Sequence, residues 1–169
     1  MTPGFGREFF CYNRGMEELR NFLIEAKKAT YANANIEKVA SSRRGSNDYE
    51  YSNDEMMYHD TYFGGTRFAG EEVVYLKGSD KPFWGMNYFG VTLDENLSEE
   101  AMDKALRPAL MRVGEDDILP VRGPKNFVND GYEYSFTVDG DLERFDGVER
   151  ITKDGQLIYE LRCTGGRII

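Results

Sequence analysis

Residues 16–29 repeat apolar side chains with the spacing of an α-helix. Met16, Leu19, Leu23 and Ala26 fall on one helical stripe, which is the pattern of a helix that buries one face. Lys27 and Lys28 in the last turn suit the negative end of the helix dipole. Residues 1–15 are rich in glycine and aromatic rings, and we expect them to form a loose arm or a docked strand outside a domain of residues 16–169.

A second helix is predicted over residues 98–112. Ser98 is a suitable N-cap, acidic residues follow it in the first turn, and apolar residues recur on one face. Pro108 lies inside this stretch and predicts a kink or a lost hydrogen bond, because proline has no N–H to donate. Residues 30–48 and 115–130 are polar or carry proline and glycine, so both are predicted to be loops.

The other apolar stretches are predicted to be β-strands, and at Tyr49–Tyr51 and over residues 132–138 apolar and polar residues alternate with the period of a half-buried strand. The predicted strands lie around Tyr49–Tyr51 and over residues 56–63, 67–76, 83–93, 132–138, 142–152 and 156–164. Residues 67–76 and 83–92 should pair as an antiparallel hairpin. The pattern predicts an α+β fold, with a curved antiparallel sheet of six to eight strands and two main helices.

The two halves of the chain, residues 16–93 and 94–169, share a weak internal repeat. Arg67-Phe68-x-Gly70-x-Glu72 aligns with Arg144-Phe145-x-Gly147-x-Glu149, and both hairpins turn at a glycine. Two pseudo-repeated α-β-β-β halves would explain the match, and they would place Glu72 and Glu149 at equivalent positions. The alternative is convergence, since antiparallel hairpins with glycine turns resemble one another.

Charge and composition exclude several classes of partner. Acidic residues outnumber basic ones by 30 to 21, for a net charge of −9, whereas nucleic-acid binding needs a basic face. No apolar stretch is long enough to span a bilayer, and no signal peptide is recognisable. We therefore expect a cytoplasmic protein without nucleic-acid or membrane partners; a homodimer is compatible with the sequence.

The chain has few residues that bind transition metals or act as nucleophiles. Cys11 and Cys163 are far apart and are predicted to be free, buried thiols, and His59 is the single histidine. Zinc sites use several nitrogen and sulfur ligands, so we predict no tightly bound transition metal and no cofactor. A weak carboxylate site for Ca²⁺ or Mg²⁺ stays open.

The densest cluster of polar and aromatic residues predicts a ligand site. Tyr58, Asp60 and Tyr62 share one face of a strand, and a fold-back at Gly64-Gly65 would bring Glu72 opposite Asp60. A buried carboxylate among tyrosines can bind a polar ligand, or act as a general base if its pKa is raised. The alternative is that Asp60 and Glu72 only hold the sheet together through Arg67, Arg144 or loop amides.

A second aromatic cluster lies on the predicted strand of residues 83–93. Trp84, Met86 and Tyr88 share one face, while Phe83, Asn87 and Phe89 share the other. We expect Trp84 and Tyr88 to border the same cavity as Asp60, and Asn87 to need a hydrogen-bond partner. Packing in an ordinary core is the alternative. The full set of candidate ligand-binding residues is Tyr58, Asp60, Tyr62, Arg67, Glu72, Trp84, Asn87 and Tyr88.

Several segments, in order, resemble an uncharacterised bacterial family of unknown function. They are YHDTYFGGTRFAGEEVVY, FWGMNYFGVTLDENLSEEAM, DGDLERFDGVERI and the ending YELRCTGGRII. In many members the domain follows a Cro/C1-type helix-turn-helix, so the resemblance implies a bacterial, cytoplasmic domain that serves elsewhere as the sensing half of a regulator. The first 15 residues here are too few for a helix-turn-helix.

Taken together, the sequence favours non-catalytic binding of a small polar or aromatic molecule in an aromatic-lined cavity. One alternative is a small carboxylate-based hydrolase or isomerase that uses Asp60, Glu72 or His59. The other is a protein-interaction module that pairs through a sheet edge or an aromatic patch. Two carboxylates in an open cleft would favour the enzyme.

Overall fold

A computed structural model describes the backbone of residues 5–33 and 35–169, and side chains from residue 15 onward. Its helical elements are α1 (Phe5–Ala29), a 3₁₀ turn (Glu95–Leu97), α2 (Ser98–Ala101), a π-helical turn (Met102–Leu106) and α3 (Arg107–Leu110). Its strands are β1 (Asn47–Ser52), β2 (Met56–Gly64), β3 (Arg67–Leu76), β4 (Pro82–Thr92), β5 (Asn126–Asn129), β6 (Tyr132–Asp141), β7 (Arg144–Lys153) and β8 (Gln156–Arg167).

The eight strands form one antiparallel sheet with the order β1-β2-β3-β4-β8-β7-β6-β5. Each half of the chain is a meander of four strands, and the last strands of the two meanders, β4 and β8, pair at the centre. The predicted α+β class with a curved antiparallel sheet is confirmed. The hairpin of residues 67–76 and 83–92 is confirmed as well, with Glu72 opposite Met86.

One face of the sheet carries the helices and the core. α1 contacts β1 and β2, while the π-helical turn contacts β5 and β6. Leu23 from α1, Leu106 from the π-helical turn and Tyr58, Trp84 and Phe136 from the sheet belong to a single buried cluster. Because successive strand residues point to opposite faces, the other face of the sheet carries the exposed side chains of these strands.

The first helix begins at Phe5, so the prediction that residues 1–15 are an arm or a strand is wrong for the backbone of residues 5–15. Gly6 and Gly15 lower the helix propensity of this stretch, so its local composition does not predict a helix. The confirmed part, residues 16–29, is the part whose apolar stripe enters the core, with Leu19, Leu23 and Ala26 buried.

The second helical segment, residues 98–110, contains the irregularity that Pro108 predicts. Pro108 follows a π-helical turn in which the Arg107 N–H donates to the carbonyl of Met102, one residue further back than in an α-helix. The carbonyl of Lys104, which a residue with an N–H at position 108 would have engaged, accepts instead from the Asn129 side-chain amide at 2.9 Å. A side chain on β5 therefore satisfies the group that proline leaves without a donor.

Strand β5 was missed, since residues 115–130 were predicted to be a loop throughout. It is four residues long and lies at the edge of the sheet, paired only with β6. Pro124 precedes it and the Asp130-Gly131 turn follows it, and Asp130 and Gly131 both have positive φ angles. Such a short strand contains too few residues to establish an alternating pattern.

The internal repeat is present in the topology, with four strands in each half instead of the predicted three. Glu72 on β3 and Glu149 on β7 occupy equivalent strands and are both fully buried. Gly64 is the last residue of β2 and Gly140 the last but one of the equivalent strand β6, and their φ angles are 97° and 98°. A Cβ at either position would lie 2.1 Å from the carbonyl oxygen of the arginine that begins the next strand. The two halves therefore share the conformation and the close contact of this glycine as well as strand order.

Candidate functional site

A cavity of about 380 Å³ lies between the helical segment 98–110 and the sheet. Strands β1 to β4 and β8 supply one wall, the helical segment supplies the other, and residues after α1 and before β5 close one side. Aromatic rings and a few polar groups predominate in its lining, which comprises Tyr31, Tyr49, Asp60, Tyr62, Gly64, Gly65, Thr66, Phe68, Tyr88, Thr92, Ser98, Glu99, Met102, Leu106, Arg107, Leu110, Arg122 and Tyr159.

Asp60 is the buried carboxyl group of the cavity wall. It lies on β2 directly opposite Glu72 on β3, and only 2% of its surface is exposed. The Tyr88 hydroxyl donates to its Oδ1 at 2.7 Å. No other hydrogen bond to this carboxyl group comes from the described residues, so its Oδ2 keeps its capacity to bind a further group.

The surroundings of Asp60 make it a weak acid. Burial and, after it, the charge of the neighbouring Glu72 carboxylate raise the pKa of Asp60 to about 7. The hydrogen bond from Tyr88 and the charges of Lys27 and Arg122 oppose this rise without cancelling it. Near neutral pH, Asp60 can therefore exist as a carboxylic acid that donates a hydrogen bond or as a carboxylate that accepts one.

Glu72 is held by a lysine from α1 and does not line the cavity. The Lys27 ammonium forms a buried ion pair with Glu72 Oε2 and also lies 3.4 Å from the Tyr31 hydroxyl. Both charged side chains are almost completely excluded from solvent. Burial lowers the pKa of Lys27, while its contact with Glu72 opposes that fall. Glu72 thus neutralises a buried cation beside the site.

Glu149, the equivalent glutamate in the second half, is also paired with a cation. Arg122 approaches it in a two-pronged geometry, with Nε 3.1 Å from Oε1 and Nη2 2.8 Å from Oε2. The hydroxyls of Tyr134 and Tyr159 donate to the same carboxylate at 2.6 and 2.9 Å. The Arg122 guanidinium stacks over the ring of Tyr31 at 5.2 Å and borders the cavity.

Three of the predicted site residues meet at this cavity: Asp60, Tyr62 and Tyr88. Tyr58 shares their sheet face, as predicted, but it is completely buried and does not line the cavity. Trp84 is also completely buried. It stacks on Phe145 with ring centroids 6.0 Å apart and donates to the carbonyl of Leu142, so it packs against the turn between β6 and β7.

The other predicted residues lie away from the cavity. Arg67 is exposed, and Glu72 is paired with Lys27 as described above. Asn87 is exposed on the opposite face of the sheet, where it lines a shallow concavity of about 620 Å³ together with Phe89 and Arg162. The predicted alternation of β4 is therefore confirmed, and it carries Asn87 away from Tyr88.

His59 and Asp48 form a separate structural cluster. His59 Nε2 lies 2.8 Å from Asp48 Oδ1, and the Asp48 carboxylate also accepts from Ser42, Ser46 and Thr61. Burial alone would raise the pKa of Asp48, but these hydrogen bonds outweigh it and lower the pKa. These hydrogen bonds hold residues 41–46 against β1 and β2, and they engage the side chain of His59.

Sequence reasoning missed Lys27, Tyr31 and Arg122 as site residues. One signal was present for Lys27: it follows Leu23 by four residues and so continues the buried stripe of α1, where an unpaired lysine would be costly. Nothing in the local pattern marked Tyr31 or Arg122, because both lie outside the regular elements. Their positions depend on how the chain returns over the sheet.

The remaining chemistry of the described residues is sparse. Cys163 is a free, buried thiol, and burial raises its pKa to about 12; the side chain of Cys11 lies outside the described residues. Within the described part of the chain, no three His, Cys, Asp or Glu side chains are grouped so as to hold a metal ion. None of the described helices is long and apolar enough to cross a membrane.

The fold and the site define an α+β protein of two similar four-stranded halves, with an aromatic cavity beneath its second helical segment. The chain belongs to the family described as a domain of unknown function, DUF5680, whose family model matches residues 60–168. That span includes Asp60, most of the sheet and the helical segment 98–110. No curated protein and no solved structure matches the chain.

Proposed function

We propose that this protein binds a small organic molecule in the cavity beneath residues 98–110, without transforming it, as a sensor-like domain. The observation that carries the proposal is the composition of the wall. Its rings offer apolar contact area, while Asp60 offers an oxygen that no described side chain engages. Small-molecule sites typically combine a mostly apolar concavity of this size with a few polar groups that fix orientation.

The arrangement of charges supports binding at this position. Two ion pairs, Lys27–Glu72 and Arg122–Glu149, tie α1 and the loop before β5 to the sheet beside the cavity. Such pairs contribute little net stability compared with apolar packing, but they hold the surrounding side chains in fixed positions. A binding site whose wall is ordered in advance loses less entropy when the ligand arrives.

The test is a fragment screen by ligand-observed ¹⁹F NMR, with one variant that fills the cavity and one matched control. Met102 lines the cavity, whereas Met111, which directly follows the helical segment, is exposed and does not. We expect Met102→Trp to abolish the broadening of fragment signals seen with the wild-type protein, and Met111→Trp to leave it unchanged. Equal loss in both variants, or no fragment binding to the wild-type protein, would contradict the proposal.

A second candidate is proton transfer by Asp60, as in a small isomerase or hydrolase. The favouring observation is a buried carboxyl group whose pKa of about 7 suits general acid–base catalysis near neutral pH. Incubating each confirmed fragment with the protein and following it by NMR tests this candidate. Catalysis would appear as a new product or as exchange of C–H for C–D in D₂O, lost in Asp60→Asn; unchanged fragments would favour binding alone.

A further inference from the structure

The buried carboxyl groups around the cavity outnumber the buried cations, and this difference indicates the charge of the molecule that the cavity would bind. Three buried carboxyl groups, Asp60, Glu72 and Glu149, accompany two buried cations, Lys27 and Arg122. Lys27 pairs with Glu72, and Arg122 pairs with Glu149 through two contacts. Asp60 is left without an ion-pair partner among the described residues, although it is the one carboxyl group of the three that lines the cavity.

Aromatic rings share the cavity wall with Asp60. Phe68 packs edge-on against Tyr88 at 6.1 Å, and Tyr49 stacks on Tyr62 at 6.4 Å. The faces of such rings carry partial negative charge and attract ammonium groups. A carboxylate flanked by rings is thus complementary to an organic cation, with the rings covering its apolar part.

The cationic residues of the wall favour an anionic ligand much less than their number suggests. Arg122 is neutralised by Glu149, and two tyrosine hydroxyls complete that carboxylate. Arg107 is partly exposed and is paired with Asp103 one helical turn away. Neither arginine therefore presents an unbalanced positive charge comparable with the unbalanced carboxyl group of Asp60.

We propose that the ligand of this cavity is an organic cation, an aromatic or aliphatic amine whose ammonium group pairs with Asp60 while its apolar part lies against Phe68, Tyr62 and Tyr88. This inference rests on the proposed function and specifies its ligand class. Binding would convert Asp60 to its ionised form, because a neighbouring positive charge favours the carboxylate. The ligand would supply the positive charge that no described residue supplies to Asp60.

The experiment compares three probes of similar shape and different charge by isothermal titration calorimetry: 2-phenylethylamine, 2-phenylethanol and 3-phenylpropionate. At about pH 8, where Asp60 is mostly ionised and the amine is protonated, we expect the amine to bind at least about tenfold more tightly than the alcohol. Asp60→Asn should erase this preference while keeping the affinity for the alcohol within about threefold. Asp146→Asn, on the opposite face of the sheet, should keep the preference.

The outcomes separate the ligand class from the proposed function. If the alcohol and the amine bind the wild-type protein equally, or if 3-phenylpropionate binds most tightly, the proposal of a cationic ligand is wrong. The proposed binding function is then still supported. If none of the three binds a protein that binds fragments in its cavity, the cation is again wrong. If the fragment screen also fails, the binding function itself is wrong.

A second measurement keeps the inference testable if Asp60→Asn does not fold. The charged groups facing Asp60 are Glu72 on β3, Lys27 on α1 and Arg122 before β5, with Tyr88 beside it on β4. At about pH 6 the amine should displace close to one proton from the wild-type protein, seen as a binding enthalpy that varies with the ionisation enthalpy of the buffer. The alcohol should displace none, and proton release that is the same for both probes would overturn the inference.

Discussion

At the scale of single residues, the opposition of Asp60 and Glu72 across β2 and β3 places two carboxyl groups in one buried environment. Like charges at close range cannot both ionise cheaply. Burial is the main reason why the pKa of Asp60 rises to about 7, and the Glu72 carboxylate is the second. Lys27 pairs with Glu72 and not with Asp60. A carboxyl group whose pKa is raised by folding destabilises the folded state as soon as the pH exceeds the pKa of that group in the unfolded chain.

Asp60→Asn should therefore change the pH dependence of stability. The unfolded chain releases the Asp60 proton near its ordinary pKa of 3.8, whereas the folded protein keeps it to about pH 7, so wild-type stability falls as the pH rises through this window. The free energy of unfolding of Asp60→Asn, relative to wild type, should rise by up to about 1.4 kcal/mol per pH unit there. Urea unfolding at several pH values measures it, and a difference that is independent of pH would contradict the shift.

The ion pair between Lys27 and Glu72 allows a double-mutant test. Lys27→Met leaves Glu72 buried without its cation and should cost about 3–5 kcal/mol of unfolding free energy. Adding Glu72→Met removes the stranded carboxylate and should recover at least about 1–2 kcal/mol of that loss. Lys104→Met at an exposed ion pair is the control and should cost under about 1 kcal/mol. A double variant less stable than Lys27→Met would contradict the pairing.

The sequence allowed one of these residue relations to be predicted and not the others. Asp60 and Glu72 lie on two strands joined by a tight turn, so their pairing can be predicted from the local spacing. The face of the sheet on which Tyr88 lies can be predicted in the same way. The partners of Glu72 and Glu149 come from α1 and from the loop before β5, far along the chain. Which cation reaches which carboxylate depends on packing that no local pattern encodes.

At the scale of elements, two glycines at equivalent positions, opposite Phe68 and Phe145, give a direct test of the repeat. A Cβ at Gly64 or Gly140 would overlap a backbone carbonyl, and both φ angles are positive. Gly64→Ala and Gly140→Ala should each cost about 2–4 kcal/mol of unfolding free energy. Gly131→Ala, with positive φ but open space around it, should cost only about 1–2 kcal/mol.

Urea denaturation of the three glycine variants provides the comparison. Equal costs at Gly64 and Gly140, both above that at Gly131, would support equivalent roles for these two glycines in the two halves. A Gly140→Ala variant as stable as Gly131→Ala would show that the second turn does not have the described geometry.

The predictability of the elements followed their length and the strength of their pattern. β3 was predicted over its full length because its ten residues lie between two glycine-bearing turns. β5 has only four residues, too few for a local pattern to predict a strand. Its extended conformation depends on its pairing with β6. The beginning of α1 was missed because its glycines disfavour a helix locally. The irregularity before Pro108 was predicted, since it follows from the covalent structure of proline.

At the scale of the whole molecule, the two halves meet at β4 and β8 and together enclose the cavity. The first half contributes Asp60 and Tyr88, while the second contributes the helical segment 98–110, Arg122 and Tyr159. Each half has its own buried glutamate and cation, but only the first half adds a second carboxyl group, since Phe136 stands opposite Glu149 where Asp60 stands opposite Glu72. The two halves are thus similar in fold, but the additional carboxyl group of the site comes from the first half alone.

The most direct test of the central claim, that a small organic cation binds in this cavity, is a titration of [¹³C-methyl]methionine-labelled protein with 2-phenylethylamine followed by NMR. Met102 lines the cavity, whereas Met111 and Met57 are exposed outside it. The account predicts a saturable shift of the Met102 methyl signal while the signals of Met111 and Met57 stay in place. A shift confined to Met57 or Met111, or no saturable shift at Met102, would contradict it.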